Sequence, residues 1–216
     1  MSVGCGKETP APDWGRLYEI AAAQEGHFTT AQAAEAGYSP QLIAKHLNNG
    51  RMTRVRRGVY RLVHFPAGEH EDIVVIWLWS ERAAVFSHET ALALHGLSDA
   101  LPTRVHVTLP ISWARRRLRV PEGVALHHAD IESADRTWFG AVPITAVART
   151  LVDCSDARVA PELVRDAFEQ AVQRGLIDRG EVPTVVTYLE SFYSVSHGRS
   201  GSRFRSTSSR SRRVLE

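Results

Sequence analysis

Between Phe28 and Leu62 the chain reads FTTAQAAEAGYSPQLIAKHLNNGRMTRVRRGVYRL, and one short stretch inside it limits what can form. Gly37 supplies the left-handed residue that closes a helix. Ser39-Pro40 then provides a cap and a proline at the first helical position, where its missing N–H costs nothing. A stop and a start this close demand two helices joined by a tight turn. Thr29 or Thr30 caps the first helix, AQAAEA, whose alanines let a neighbour approach closely. The second helix runs from Pro40 to Asn48 and stops at Asn49-Gly50. A ribbon follows, with Met52, Val55, Val59, Tyr60 and Leu62 as its apolar positions and Arg56-Arg57-Gly58 as its turn. Helix, tight turn, helix and basic ribbon make the order of a winged helix-turn-helix.

The helix Pro40 to Asn48 divides into two faces. Leu42, Ile43 and Leu47 form the inward set, while Gln41, Lys45 and Asn48, spaced i, i+4 and i+7, share the opposite side. Amides bond adenine edges, and lysine takes guanine or phosphate, so this face suits a major groove. The expected DNA-binding set is Ser39, Gln41, Lys45, Asn48, Arg51, Arg54, Arg56 and Arg57. Of these, Gln41, Lys45 and Asn48 face bases, and Arg54, Arg56 and Arg57 hold the phosphate backbone. Two other readings stand beside this one: a basic ribbon as a merely solvated face, and a winged helix as a protein-docking module.

Charge supports the DNA reading locally. The net charge of the 216 residues is only +2, yet Leu42 to Leu62 holds six Lys or Arg and no acid. Ser196 to Glu216 adds six Arg against one Glu, so the remainder is acidic. Local patches say more about partners than the total does. Two cysteines, Cys5 and Cys154, stand in no ligand spacing and indicate neither a disulfide framework nor a zinc ribbon. The N-terminus lacks the pattern of a secretory signal, and the longest apolar run, Ile73 to Trp79, is too short to span a bilayer. A soluble cytoplasmic protein without membrane contact is expected.

Around the central unit the chain divides into an arm (1–12), the winged helix-turn-helix (13–63), a linker (64–71), an α+β domain (72–195) and a Ser/Arg tail (196–216). Asp13 caps a helix whose stripe Trp14, Leu17, Tyr18 and Ala21 packs behind the helix pair, and Gly26 ends it. From Asp72 to Arg82 a helix is apolar almost all round, which places it centrally in the second domain or beneath a partner. A helix from Ser87 to His95 is capped by Ser87 and closed by Gly96. Val105, Val107 and Leu109 alternate on one face of a strand. A basic cluster, Arg115 to Arg119, precedes a strand from Val124 to His128. The ribbon Trp138 to Ile144 leads into a helix from Thr145 to Cys154, and helices about Pro161 to Arg174 and Glu181 to Tyr193 follow. The strands lack a βαβ rhythm, so the fold class is mixed α/β of α+β type, with a smaller sheet in the second domain. The arm and the low-complexity tail are expected to be disordered. The tail either adds nonspecific nucleic-acid affinity or is foreign to the natural reading frame.

The stretch Phe28 to Leu62 resembles the N-terminal winged-helix domain of AbiEi antitoxins from type IV toxin–antitoxin systems. Thr29-Thr30, Ala33, Gly37, Leu42, Leu47, Gly50 and, above all, Arg57-Gly58-Val59-Tyr60 carry the likeness. It continues more loosely through SHETALALHGL (Ser87 to Leu97), Val105 to Pro110 and GAVPITAVARTLVD (Gly140 to Asp153), spanning roughly residues 14 to 190. The resemblance implies a repressor of its own operon that counters a cognate nucleotidyltransferase toxin, directly or functionally. Binding to double-stranded operator DNA as a homodimer or as side-by-side copies on paired half-sites is expected.

No enzymatic role or cofactor is expected. The chain contains no G-x-S-x-G, P-loop or G-x-G-x-x-G. A related group of chains joins this winged helix to an endonuclease-like domain, but this sequence ends where that domain would begin. Asp130, Glu132 and Asp135 read as an acid-rich helix start, and Asp153 as a further isolated carboxylate. Ten histidines invite a metal, but His88 and His95 are seven apart, and His127-His128 share a strand without an i, i+4 partner or a nearby carboxylate. No metal site is expected from these pairs. The alternative functions are a winged-helix interaction module without operator binding, whose helix Asp72 to Arg82 meets a partner, and a truncated relative of the nuclease-bearing group that binds DNA without a toxin.

Overall fold

The structure, a computed structural model, describes residues 11–98 and 102–197. Most of the N-terminal arm, Cys5 and nearly all of the Ser/Arg tail therefore lie outside the described residues.

Asp13 caps α1 (Trp14–Ala22) by accepting from the Arg16 N–H at 2.9 Å. Of the expected stripe, Leu17 and Ala21 are fully buried, whereas Trp14 and Tyr18 stay half exposed. The chain then forms a strand that the sequence reading missed, β1 (His27–Thr29). Thr29, not Thr30, caps α2 (Thr30–Glu35), in a reciprocal arrangement with Gln32 that satisfies two otherwise unpaired N–H groups. Gly37 is left-handed at φ 80, and Ser39 caps α3 (Pro40–Asn48), as its stop and start signals require.

β2 (Met52–Arg56) and β3 (Val59–Leu62) form the wing, and β1 joins them in a three-stranded sheet of order β1-β3-β2. One wing expectation fails. Val55 is 44% exposed rather than inward, and it stands where the β2–β3 register shifts between Arg54 and Arg56. Strand alternation places Val55, three residues from buried Met52, on the opposite face of β2. The turn is tighter than expected: Arg56 still belongs to β2, and the Gly58 carbonyl accepts the Thr30 N–H at 3.0 Å, tying the wing tip to α2.

α4 (Glu71–Trp79) buries Ile73 through Leu78. It stops before Arg82, where the sequence pattern ended it, because Glu81 and Arg82 both turn left-handed and Ser80 Oγ donates to the Trp77 carbonyl at 2.7 Å. Its apolar circumference is covered within the chain. One core joins α4 to Val59 of the wing and to Phe86, Val107, Leu109 and Ile144 of a second sheet. The reading in which this helix meets a foreign partner loses its surface.

An ion pair fixes the seam between wing and α4. Arg61 on β3 donates through Nη2 to Glu71 at 2.8 Å and to the Phe65 carbonyl, and through Nη1 to the Leu62 carbonyl, while Glu71 also accepts from Gly68 N. Burial works to raise the Glu71 pKa, but the Arg61 and Gly68 hydrogen bonds outweigh it and hold the carboxyl below its ordinary value. Replacing Glu71 by Gln strands a mostly buried guanidinium. We expect a loss of about 1–3 kcal/mol, read as a lower urea midpoint at unchanged m, with partial recovery on adding Arg61→Met.

The second sheet has five strands in the order β6-β5-β4-β8-β7: β4 (Val85–Phe86), β5 (Val105–Leu109), β6 (Val124–His128), β7 (Arg136–Phe139) and β8 (Val142–Thr145). The β5–β6 and β4–β8 pairs are parallel and the other two antiparallel. Val107 and Leu109 face the α4 core, as the alternation predicts. α5 (His88–Leu94) packs on β5 from the other side, where Thr90 Oγ1 accepts the His106 N–H. α6 (Val147–Asp156), α7 (Pro161–Gln173) and α8 (Pro183–His197) complete a helical layer around Leu92, Leu97, Leu151 and Phe168.

Two local expectations change. Ser87 precedes α5 without capping it, because its Oγ is 2.8 Å from Thr108 Oγ1 and 2.9 Å from His88 Nδ1. The acid-rich stretch starts no α-helix. Only a single 3-10 turn, Ser133–Asp135, forms there, with Asp130 accepting the Ile111 N–H and Asp135 pairing with Arg149. Arg149 also pairs with Asp153 at 2.8 Å. Among the described residues no helix is long and apolar enough to cross a membrane.

Candidate nucleic-acid interface

The faces of α3 follow directly from its sequence. Ile43 is buried, Leu42 and Leu47 are partly buried against the same core, and Gln41, Lys45 and Asn48 are exposed. His46 locks the helix in place by packing against Trp14 and Tyr38, with ring centroids 5.8 and 5.7 Å away. Burial, with Arg51 and Lys45 nearby, pushes the His46 pKa down, so the ring packs as a neutral group. Ser39 is committed as the cap: its Oγ accepts the Leu42 N–H at 3.2 Å.

α3 packs beside β2, which is the edge strand of its sheet, so the exposed α3 face and the basic ribbon are neighbours. Arg51, Arg54 and Arg56 are exposed. The register sets Arg54 opposite Tyr60 and Arg56 opposite Val59, across the bulge. Arg57 is also exposed, but it lines a cleft with Glu35, Glu81 and Arg82 between the wing turn and the end of α4. Arg61, one of the basic residues of this stretch, is withdrawn into its bond with Glu71.

Sequence spacing also missed a cluster in the second domain. His88, His106 and His127 bring one potential ligand atom each to within 4.8 Å of one another. His106 Nδ1 lies 3.0 Å from His127 Nε2, and the His88 and His127 rings stack at 3.7 Å. Parallel register at Thr108↔His127 puts His127 on the same sheet face as His106, and α5 lays His88 over both. The strand alternation that places Val105 and Val107 on one face already puts His106 on the other, which was the available signal. Cys154 is fully buried, and burial drives its thiol far above the ordinary range, so it is no nucleophile.

A helix-turn-helix with an exposed polar second helix and an arginine-bearing wing, backed by an α+β domain, defines a winged-helix protein. Residues 16–63, which contain this interface, match the family described as "Transcriptional regulator, AbiEi antitoxin". The winged region is thus similar to that of AbiEi regulators. The match spans less than a quarter of the chain. Among solved structures the chain is similar to the RV2827C protein from Mycobacterium tuberculosis, at 15% identity and a TM-score of 0.42, covering 86% of this chain and 84% of that one. No curated protein matches the chain.

Proposed function

We propose that this chain is an operator-binding autorepressor and antitoxin. Residues 13–63 bind double-stranded DNA, and residues 72–195 carry the antitoxin function against a cognate nucleotidyltransferase toxin. The observation that carries this reading is the exposed face Gln41, Lys45 and Asn48 lying beside the arginines of β2, inside the region of AbiEi type. Gln41, Lys45 and Asn48 enter the major groove, where a good bidentate pair discriminates a base by about 1–3 kcal/mol. Arg51, Arg54 and Arg56 grip phosphates, with Arg57 at the margin beside Glu35 and Glu81. Ser39 contributes through its backbone and by fixing the start of α3, since its hydroxyl is occupied. Copies bind side by side on paired half-sites.

Titration of the protein against its own promoter fragment and against single-base variants of it tests the reading. Lys45→Ala or Gln41→Ala should flatten discrimination at one or two base positions while leaving affinity for unrelated DNA nearly unchanged. Equal loss on every sequence would remove α3 as the reading helix. Protection of cells from the toxin, measured with these variants of reduced discrimination, separates the two roles: the antitoxin activity of residues 72–195 should survive.

A further inference from the structure

The geometry points to a divalent metal site in the second domain, in which His88, His106 and His127 hold one borderline transition-metal cation of the zinc class, with water completing the coordination. Nothing in the DNA-binding reading requires this site.

Three observations meet there. The first is convergence, since the ligand nitrogens come from α5, β5 and β6 and lie within 4.8 Å of one another. Bonds of about 2.0–2.1 Å in a tetrahedral site place nitrogens about 3.3 Å apart. The pair His106 Nδ1 and His127 Nε2, at 3.0 Å, is already close to that separation. The second is orientation. In a metal-binding histidine the other ring nitrogen usually donates to a carboxylate, carbonyl or similar group, which fixes the tautomer. His106 Nε2 faces Glu89 Oε2 at 3.4 Å, which frees Nδ1 for the cation. His88 Nδ1 is 2.9 Å from Ser87 Oγ, itself anchored to Thr108, which frees Nε2. The third is enclosure: all three rings are buried or partly buried, which holds them close to one another and away from bulk water.

Metal entry has a structural consequence. Rings stacked at 3.7 Å and 17° hold their lone pairs in nearly parallel planes, so His88 must turn out of its stack with His127 to aim Nε2 at the shared cation. The His106–His127 hydrogen bond must also give way, with the proton between them shifting to the other nitrogen of its ring, so that each ligand remains a neutral imidazole. Glu89, in the first turn of α5, offsets the repulsion between a cation and that helix N-terminus. The cation then clamps α5 to the parallel β5–β6 pair. Three protein ligands leave one position for water, the number seen in open zinc sites.

The test uses the full chain, stripped with a chelator and titrated with Co2+ as a spectroscopic probe and then with Zn2+. One Co2+ per chain should bind with the visible absorbance of a four-coordinate ion and be displaced by Zn2+, and Zn2+ should raise Tm. His106→Ala with His127→Ala should abolish the absorbance. Glu89→Gln should weaken Zn2+ binding about 10- to 100-fold. His128→Ala, on the neighbouring exposed position, should change nothing. Because the double variant could unfold, imidazole 15N shifts of the unaltered chain give a second reading: on Zn2+ addition His88, His106 and His127 alone should move, each at the nitrogen named above. Absence of saturable one-to-one binding, movement of other histidines, or binding that survives in a folded double variant would overturn the site.

Discussion

Changing Arg54 and Arg56 together to Ala should weaken operator binding by about 10- to 100-fold near 0.1 M salt, and by the same factor on unrelated DNA. The two side chains are exposed on edge strand β2, beside the reading helix. Each phosphate they neutralise releases condensed counterion, so each contributes about 0.9 to the slope of log K against log salt. The double variant should therefore show a slope shallower by about 1.8. Arg57→Ala should cost less, since Arg57 shares its cleft with Glu35 and Glu81, whose carboxylates compete with phosphate for it. Fluorescence anisotropy over a salt series distinguishes the outcomes. A loss of affinity with an unchanged slope would mean that the arginines hold the wing's shape rather than the DNA, and a larger effect from Arg57 would reverse the assignment.

That prediction differs from the one sequence alone supports, and the difference shows what a sequence can reveal. The caps of α2 and α3 were legible because they are local: Gly37, Ser39 and Pro40 act on their own backbone within a few residues. The two faces of α3 were legible for the same reason, since 3.6-residue periodicity needs no knowledge of the partner. Everything that depended on pairing between distant segments was hidden. β1 is three residues long and β4 two, and each is a strand only because β3 or β5 and β8 lie alongside. Val55 has the apolar character of a core residue, yet it lies three positions from buried Met52 and faces the other way. Arg61 looks like its basic neighbours, and only Glu71, ten positions on, shows that it belongs to the seam with α4. The three histidines are scattered over residues 88 to 127, and spacing rules made for single helices miss a cluster assembled from a helix and two parallel strands. The exposure of the residues expected on α3 and β2 was thus readable in the sequence, and the histidine cluster was not.

The same histidines, with three others, should make this fold sensitive to acid. Stability should be level above about pH 6.5 and fall steeply below it, well before carboxylates begin to protonate. His27, His46, His88, His95, His106 and His127 all have pKa values lowered in the folded protein, with burial the leading cause in each, and His88 is lowered furthest, to about 3. Above the unfolded value near 6.5 both states leave these rings neutral and no linkage operates. As pH falls through that value the unfolded chain takes up protons that the native chain refuses. Each such histidine then removes up to about 1.4 kcal/mol per pH unit, until the pH reaches its native pKa. Two or three acting together would consume much of the roughly 5–15 kcal/mol typical of a folded protein within two pH units. The Arg61–Glu71 pair does not confound this window: its carboxyl is held below the ordinary value, so its contribution is lost only at still lower pH. Urea midpoints measured between pH 8 and pH 4.5, with chelator present, should therefore drop on the acid side. His27 offers the cleanest single check, because it is 1% exposed and lies in the winged domain, away from the cluster. His27→Gln removes one titrating ring, so whatever its effect at pH 8, its stability profile should descend less steeply than that of the unaltered chain from pH 6.5 downward. Parallel profiles would show that His27 accepts its proton in the folded state. A stability that stays level to pH 4.5 would show that all six rings do, and that their burial is relieved by water or by motion.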